Sequence, residues 1–453
     1  MSTMARIYAI TSGNLGNHKN TFKGFTCQGV ASERQRHLSL SKKRDQIFKD
    51  ILSNNSSEST SLKFIFYGLA GIIALFLSTC SITLIPVHNV IENPEYWYEF
   101  LLSIGFPFLP IWAVSYMLRC SVYMSANIIK SQRNFRILWL AISATCFGWQ
   151  CVGYNIWTEW FHYRYPIPWN AKALGCITTI VMLTSLWYLF PIKCRKEKGF
   201  RKRFNYFILT MVTGHCIFYE YGILIKLLLL VPTNYQWIVA FFPPLVREFN
   251  SWAVTTMACK ATHGDITAAN IAVNQAIGTQ HSLFLAICVG SIATNATCAI
   301  TIGIDFLINL WICTKIIRAR RKGSIPTEKE IELLQSLVIN EMIEVVVPLA
   351  YLLCLVAAYY GPNSELIGNV GNSYWQYSAI EDIERTIKYI LAFFVIDLGS
   401  LVVTSITLWS SYQINLYKAY VVLQKEFGFL FWFSMAAQMY AVSIHIYNVN
   451  LCT

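Results

Sequence analysis

Arg247, Glu248 and Asn250 follow a Pro243-Pro244 pair in the segment FFPPLVREFN, residues 241–250. Two successive prolines remove two backbone donors, so a helix running into them breaks or kinks and carbonyls of the preceding turn lose their partners. Charges beside such a break are how many membrane transporters present side chain and backbone to a solute. The competing reading has the prolines open a helix whose first turn lies among lipid headgroups, where Arg247 and Glu248 cost little. Burial of Arg247 separates the two.

The chain continues as CKATHGDITAANIAVNQAIGTQH, residues 259–281, which places Asn270, Asn274 and His281 on one stripe of a helix. Such a stripe suits a helix lining a wet cavity, and equally one sealed against polar neighbours. Gly264-Asp265 reads as a turn and an N-cap, so Asp265 is a helix starter rather than a base.

Further along, Asp305 and Asn309 are i and i+4 within an apolar run, Glu341 and Glu344 are i and i+3 near the start of another, and Asp397 stands alone at mid-run. Glu220 follows His215 and Tyr219, and its spacing from Lys226 puts those two charges on different faces of one helix. An ionisable group at membrane depth costs about 2.5–3.5 kcal/mol on insertion scales, which makes these the best pointers to function. Each can be a satisfied interhelical hydrogen bond. If several converge, they form a cation or proton site. The substrate- or ion-binding candidates are therefore Arg247, Glu248, Asn250, Asn270, Asn274, Asp305, Asp397 and Glu220.

Signatures of other chemistry are missing from the sequence: GxSxG, HExxH, GxxxxGK[ST], a Gly-rich dinucleotide fingerprint and a TVGYG filter do not occur. Most of the 14 cysteines lie in apolar runs, without CxxC pairs or zinc-finger spacing, and read as small hydrophobes. No catalytic residue, metal or cofactor is expected, and the chain does not read as an enzyme.

The elements that must position these residues are membrane helices. Of the 453 residues 55% are hydrophobic and 13% charged, with a mean hydropathy of +0.44, too little charge for a water-facing surface. Crossing the hydrocarbon layer takes about 20 apolar residues. Spans are predicted at 62–86, 98–118, 135–157, 173–192, 207–232, 337–360, 387–409 and 427–447. The region 238–317 holds one or three more, with three favoured (238–259, 266–289 and 292–317) because 282–317 is too long for one span. The fold class is thus all-α, a polytopic transmembrane bundle of about ten (8–11) spans. It divides into a disordered cytoplasmic N-terminal tail, residues 1–61, and a transmembrane helical domain, residues 62–449.

The net charge of +12 is concentrated in two connections: Lys193 to Arg203, and Arg318, Arg320, Arg321 and Lys322. Beside membrane spans such clusters mark the cytoplasmic face and attract anionic lipid headgroups; nucleic acid is not the expected partner. Lys42, Lys43, Arg44 and Lys49 before the first span place the N-terminus in the cytoplasm, in a plasma membrane or endomembrane protein. The leading functional expectation is a transporter of a small solute or ion through a polar intramembrane cavity. A multi-pass receptor or sensor signalling through the basic loops, an ion channel, and a transferase with an unrecognised site are the alternatives.

Overall fold

The computed structural model describes residues 120, 123–124, 132–155, 170–197, 199–240, 242–262, 266–291, 295–321, 328–361, 380–412 and 415–416. Within them every regular element is helical: α1 (Gln132–Asn155), α2 (Asn170–Leu189), α3 (Ile192–Arg195), α4 (Phe200–Leu230), a 3-10 turn at Thr233–Tyr235, α5 (Gln236–Ala240), α6 (Phe242–Ala261), α7 (Ile266–Ser291), α8 (Asn295–Arg321), α9 (Glu328–Tyr360) and α10 (Ile380–Tyr412).

Four of these carry stretches long and apolar enough to cross a membrane: Phe200–Leu224 in α4, Asn295–Lys315 in α8, Ser336–Ala357 in α9 and Glu384–Ser410 in α10. Shorter apolar stretches occupy Arg136–Thr145 in α1, Cys176–Leu189 in α2 and Ile277–Gly290 in α7. The expected count of about ten crossings is therefore not reached among the described residues. The expected spans 62–86, 98–118 and 427–447, and the tail 1–61, lie outside them. Region 238–317 does hold three long helices, of which α8 alone is apolar enough to qualify. Helix α6 falls short because Arg247, Glu248, Asn250 and Lys260 dilute its apolar character within only 20 residues.

Helix α7 is the hub, packed against α4, α6, α9 and α10. From His281 to Gly290 every residue is buried, as expected of a helix apolar on all sides and surrounded by others. Two glycines permit the close approach. A Cβ at Gly278 would stand 3.1 Å from both Asn340 Oδ1 and Ile343 Cδ1 on α9, and one at Gly290 would stand 2.9 Å from Thr386 Cγ2 on α10. The Thr386 hydroxyl donates to the Gly290 carbonyl at 2.9 Å, closing the α7–α10 contact.

Helix α4 begins seven residues before its expected start, running through Arg201, Lys202 and Arg203. Gly199 takes φ +90° ahead of its first turn, a left-handed conformation that glycine adopts without a Cβ penalty. Below that turn, buried Phe190, Phe200, Phe204 and Phe207 pack edge-on and tilted around Trp187. At its far end the Gln236 side chain donates to the Leu228 carbonyl at 3.2 Å, satisfying an acceptor that the last turn leaves open. Eight of the described cysteines are free thiols, five of them buried as expected of small hydrophobes; Cys194 in α3 is disulfide-bonded.

Candidate functional site: a buried carboxyl ladder around Arg247

Helix α6 buries a single stripe: Pro243, Pro244, Arg247, Asn250, Val254, Ala258 and Ala261. Its prolines occupy the first turn, where backbone N–H groups have no intrahelical partner to lose; the preceding helix, α5, ends at Ala240. The prolines thus open the helix, yet Arg247 is buried against neighbouring helices. It is 9% exposed. Its Nη2 lies 2.9 Å from Glu344 Oε1 on α9, and its Nη1 lies 3.9 Å from Asp305 Oδ1 on α8.

From that ion pair a line of polar groups runs along the bundle axis. Asn309 Nδ2 donates to Glu344 Oε2 at 2.9 Å and to Ser400 Oγ at 3.2 Å. Ser400 and Thr404 on α10 both donate to Glu341 Oε1, at 3.3 and 2.8 Å. The Cys313 thiol reaches Thr404 Oγ1 at 3.6 Å. The spacings are helical in every case: Asp305, Asn309 and Cys313 on α8, Glu341 and Glu344 on α9, and Asp397, Ser400 and Thr404 on α10. At 1.5 Å rise per residue the α8 stripe extends about 12 Å.

Charge is the distinctive property of this ladder. Asp305, Glu341, Glu344 and Asp397 are all buried, and Arg247 is the only buried lysine or arginine among the described residues. Glu344 is ion-paired to Arg247 through Oε1 and accepts from Asn309 through Oε2. Both oxygens of Asp305, Oε2 of Glu341 and Oδ2 of Asp397 have no hydrogen-bond partner, and Oε1 of Glu344 has none beyond that ion pair. Asp397 lies within electrostatic reach of Asp305, Glu344, Glu341 and Arg247. A further acceptor comes from the backbone, because Pro348 inside α9 has no N–H to donate to the carbonyl four residues back, that of Glu344.

The remaining candidates fall elsewhere. Glu248 is on the opposite, exposed face of α6, beside Trp252 and Thr255 on an open groove. Asn250 donates to Glu220 Oε2 on α4 at 2.9 Å, a separate contact one helix away from the ladder. Asn270 and Asn274 lie on α7, and their side chains are outside the described residues. His281, on the same stripe, is buried with Nδ1 3.1 Å from the Tyr221 hydroxyl.

Glu341 and Glu344 read from sequence as groups near the start of a span, because the apolar run begins at Leu337. Helix α9 begins at Glu328, but its apolar stretch is Ser336–Ala357, so both carboxyls lie about one and two turns into that stretch, as expected. Ser400, Thr404 and Cys313 carried a usable signal, their helical spacing from Asp397 and Asp305, but small hydroxyls and thiols are common in membrane helices and do not stand out.

Among the described residues no three His, Cys, Asp or Glu side chains come close enough together to hold a metal ion. The carboxyls form a ladder and not a cage. Comparison of the chain with models of known protein families, with curated proteins and with solved structures finds no match. Several apolar helices of membrane length, closing on a buried acidic array, are what the chain itself displays.

Proposed function

We propose that the protein is a membrane transporter that moves a small solute or ion past the carboxyl ladder around Arg247, in a bundle of about ten crossings. One observation carries this reading: helices α6, α8, α9 and α10 each bring a charged side chain into one buried array, with four carboxyls against one guanidinium. A purely structural ion pair needs one acid. Additional buried carboxyls lower stability unless something compensates them, and such groups in membrane helices mark ion pathways and relays. Pro348 inside α9 and the Glu344 carbonyl that it leaves without a helical donor add a backbone acceptor beside the array.

The basic connections that motivate a receptor are accounted for by topology alone, and no particular residue favours a channel. The test is flux. With the full-length protein in liposomes, uptake of a panel of alkali cations and of protons is measured for the native chain and for Asp305→Asn and Asp397→Asn. Loss of about tenfold or more in both variants, with Glu248→Gln unchanged, is the expected result. Native protein that passes none of these ions, or variants that match it, overturns the proposal.

A further inference from the structure

We propose, resting on the transport reading, that the ions carried are protons, held on Asp305 and Asp397 while Arg247 stays paired with Glu344. The acid cluster alone does not lead there. The second observation is that Asp305, 2% exposed, faces Arg247 at 3.9 Å with neither carboxyl oxygen hydrogen-bonded, and that Asp397, 4% exposed, keeps an unpartnered oxygen in the same buried neighbourhood. Unmet acceptors at that depth cost free energy in every state in which nothing occupies them.

The chemistry of the occupant follows from spacing. A metal cation gathers several oxygens at once, six to eight for calcium and six for magnesium by general rule, and among the described residues no three acids converge in that way. A proton needs one oxygen. Taking it up forms an O–H bond on a carboxylate and yields a neutral carboxylic acid that can donate to a neighbour; releasing it to water breaks that bond, and no electrons change hands.

The groups that face the array from each packed helix are consistent with this. Helix α4 presents Tyr221, with Glu220 engaged by Asn250; α6 presents Arg247; α7 presents His281, bonded to Tyr221 and within reach of the Arg247 charge; α8 presents Asp305; α9 presents Glu341 and Glu344; α10 presents Asp397. Glu344, ion-paired to Arg247 and bonded to Asn309, is the counter-charge for Arg247. Asp305, Glu341 and Asp397 keep unpartnered oxygens; the other oxygen of Glu341 is held by Ser400 and Thr404, which leaves Asp305 and Asp397 as the acids least engaged. Beside them, Asn309, Ser400, Thr404 and Glu341 form a hydrogen-bonded line that starts at Glu344, and the two hydroxyls can each accept one proton as they donate another.

The experiment has two arms on the full-length protein in liposomes. Infrared difference spectra between acidic and alkaline buffer report the carbonyl stretch of protonated carboxyls, and a pH-sensitive dye trapped inside reports proton entry down an imposed gradient. The expected result is a carboxyl band that titrates in the native protein and loses intensity in Asp305→Asn and in Asp397→Asn. Proton entry should fall about tenfold or more in both variants, and Glu248→Gln should match the native chain in both arms. The native spectrum needs no variant, so a misfolding substitution does not blunt the test. Absence of any titrating carboxyl band, with alkali-cation flux present, overturns the proton inference and leaves transport standing. A titrating band without flux of any ion overturns transport and the carrying role together.

Discussion

Arg247 on α6 and Glu344 on α9 meet at 2.9 Å in the interior of the bundle, while Asn309 from α8 holds the other oxygen of the same carboxylate at 2.9 Å. Three helices are thereby tied at one carboxyl group. Removing the cation strands every acid in the ladder, so Arg247→Ala is expected to lower stability by about 3–5 kcal/mol, the usual consequence of leaving a buried charge unpaired. The double variant Arg247→Ala/Glu344→Ala should recover part of that loss. Denaturation midpoints of the detergent-solubilised protein measure both; equal midpoints for the single and double variants would show that the pair is not coupled.

Pro348 sits one turn beyond Glu344 in α9 and leaves its carbonyl without the helical hydrogen bond. Pro348→Ala supplies an N–H at that point and straightens the helix. The expected outcome is a new backbone amide at position 348 that exchanges with solvent as slowly as its neighbours, together with reduced flux. Fast exchange there would mean that the carbonyl was already engaged elsewhere.

The α7–α10 contact depends on the absence of a side chain at Gly290, where a Cβ would lie 2.9 Å from Thr386 Cγ2 and 3.3 Å from Ile390 Cδ1. Gly290→Ala should cost about 1–3 kcal/mol through overpacking. Gly303→Ala on α8 meets nothing within 4 Å and should be neutral or stabilising by up to about 1 kcal/mol, since alanine is the better helix former. Thermal midpoints of the two variants, compared side by side, check the difference in sign.

Glu220 and Asn250 make a pair of their own, at 2.9 Å between α4 and α6. Asn250→Ala should therefore cost about 1.5–3 kcal/mol, as for one hydrogen bond to a charged group, and leave flux within about twofold of native. A loss as large as that of Asp305→Asn would join this pair to the ladder.

The connection between α2 and α4 carries two opposed indications of sidedness. Its basic residues, Lys196 among them, and those that follow in the first turn of α4, Arg201, Lys202 and Arg203, point to the cytoplasm, whereas Cys194 within it is disulfide-bonded, which is rare in a reducing compartment. The charge rule predicts that a reporter inserted here is cytoplasmic and that Cys194 alkylates in intact cells once a permeant reagent is added. A reporter read from the outside, with Cys194 blocked to alkylation until a reductant is added, would reverse the orientation of the bundle.

Helix content was legible in the sequence because an apolar run of membrane length leaves few alternatives to a helix: the backbone must satisfy itself. The starts of α4 and α9 were not. Both helices extend past their apolar runs into polar residues, Arg201 to Arg203 in one and Glu328 to Glu332 in the other, where hydropathy gives no boundary while backbone hydrogen bonding continues.

What local spacing determined was the set of polar side chains that share a face: Asp305 with Asn309, and Glu341 with Glu344. Which faces meet was decided only by the packing of α6, α8, α9 and α10, since residues 247, 305, 344 and 397 are too far apart in the chain for any periodicity to relate them. Arg247 and Glu248 show this most directly. They are neighbours in sequence, separated by about 100° around the helix, and the rotation of α6 against its partners put the first in the buried array and the second on the exposed face.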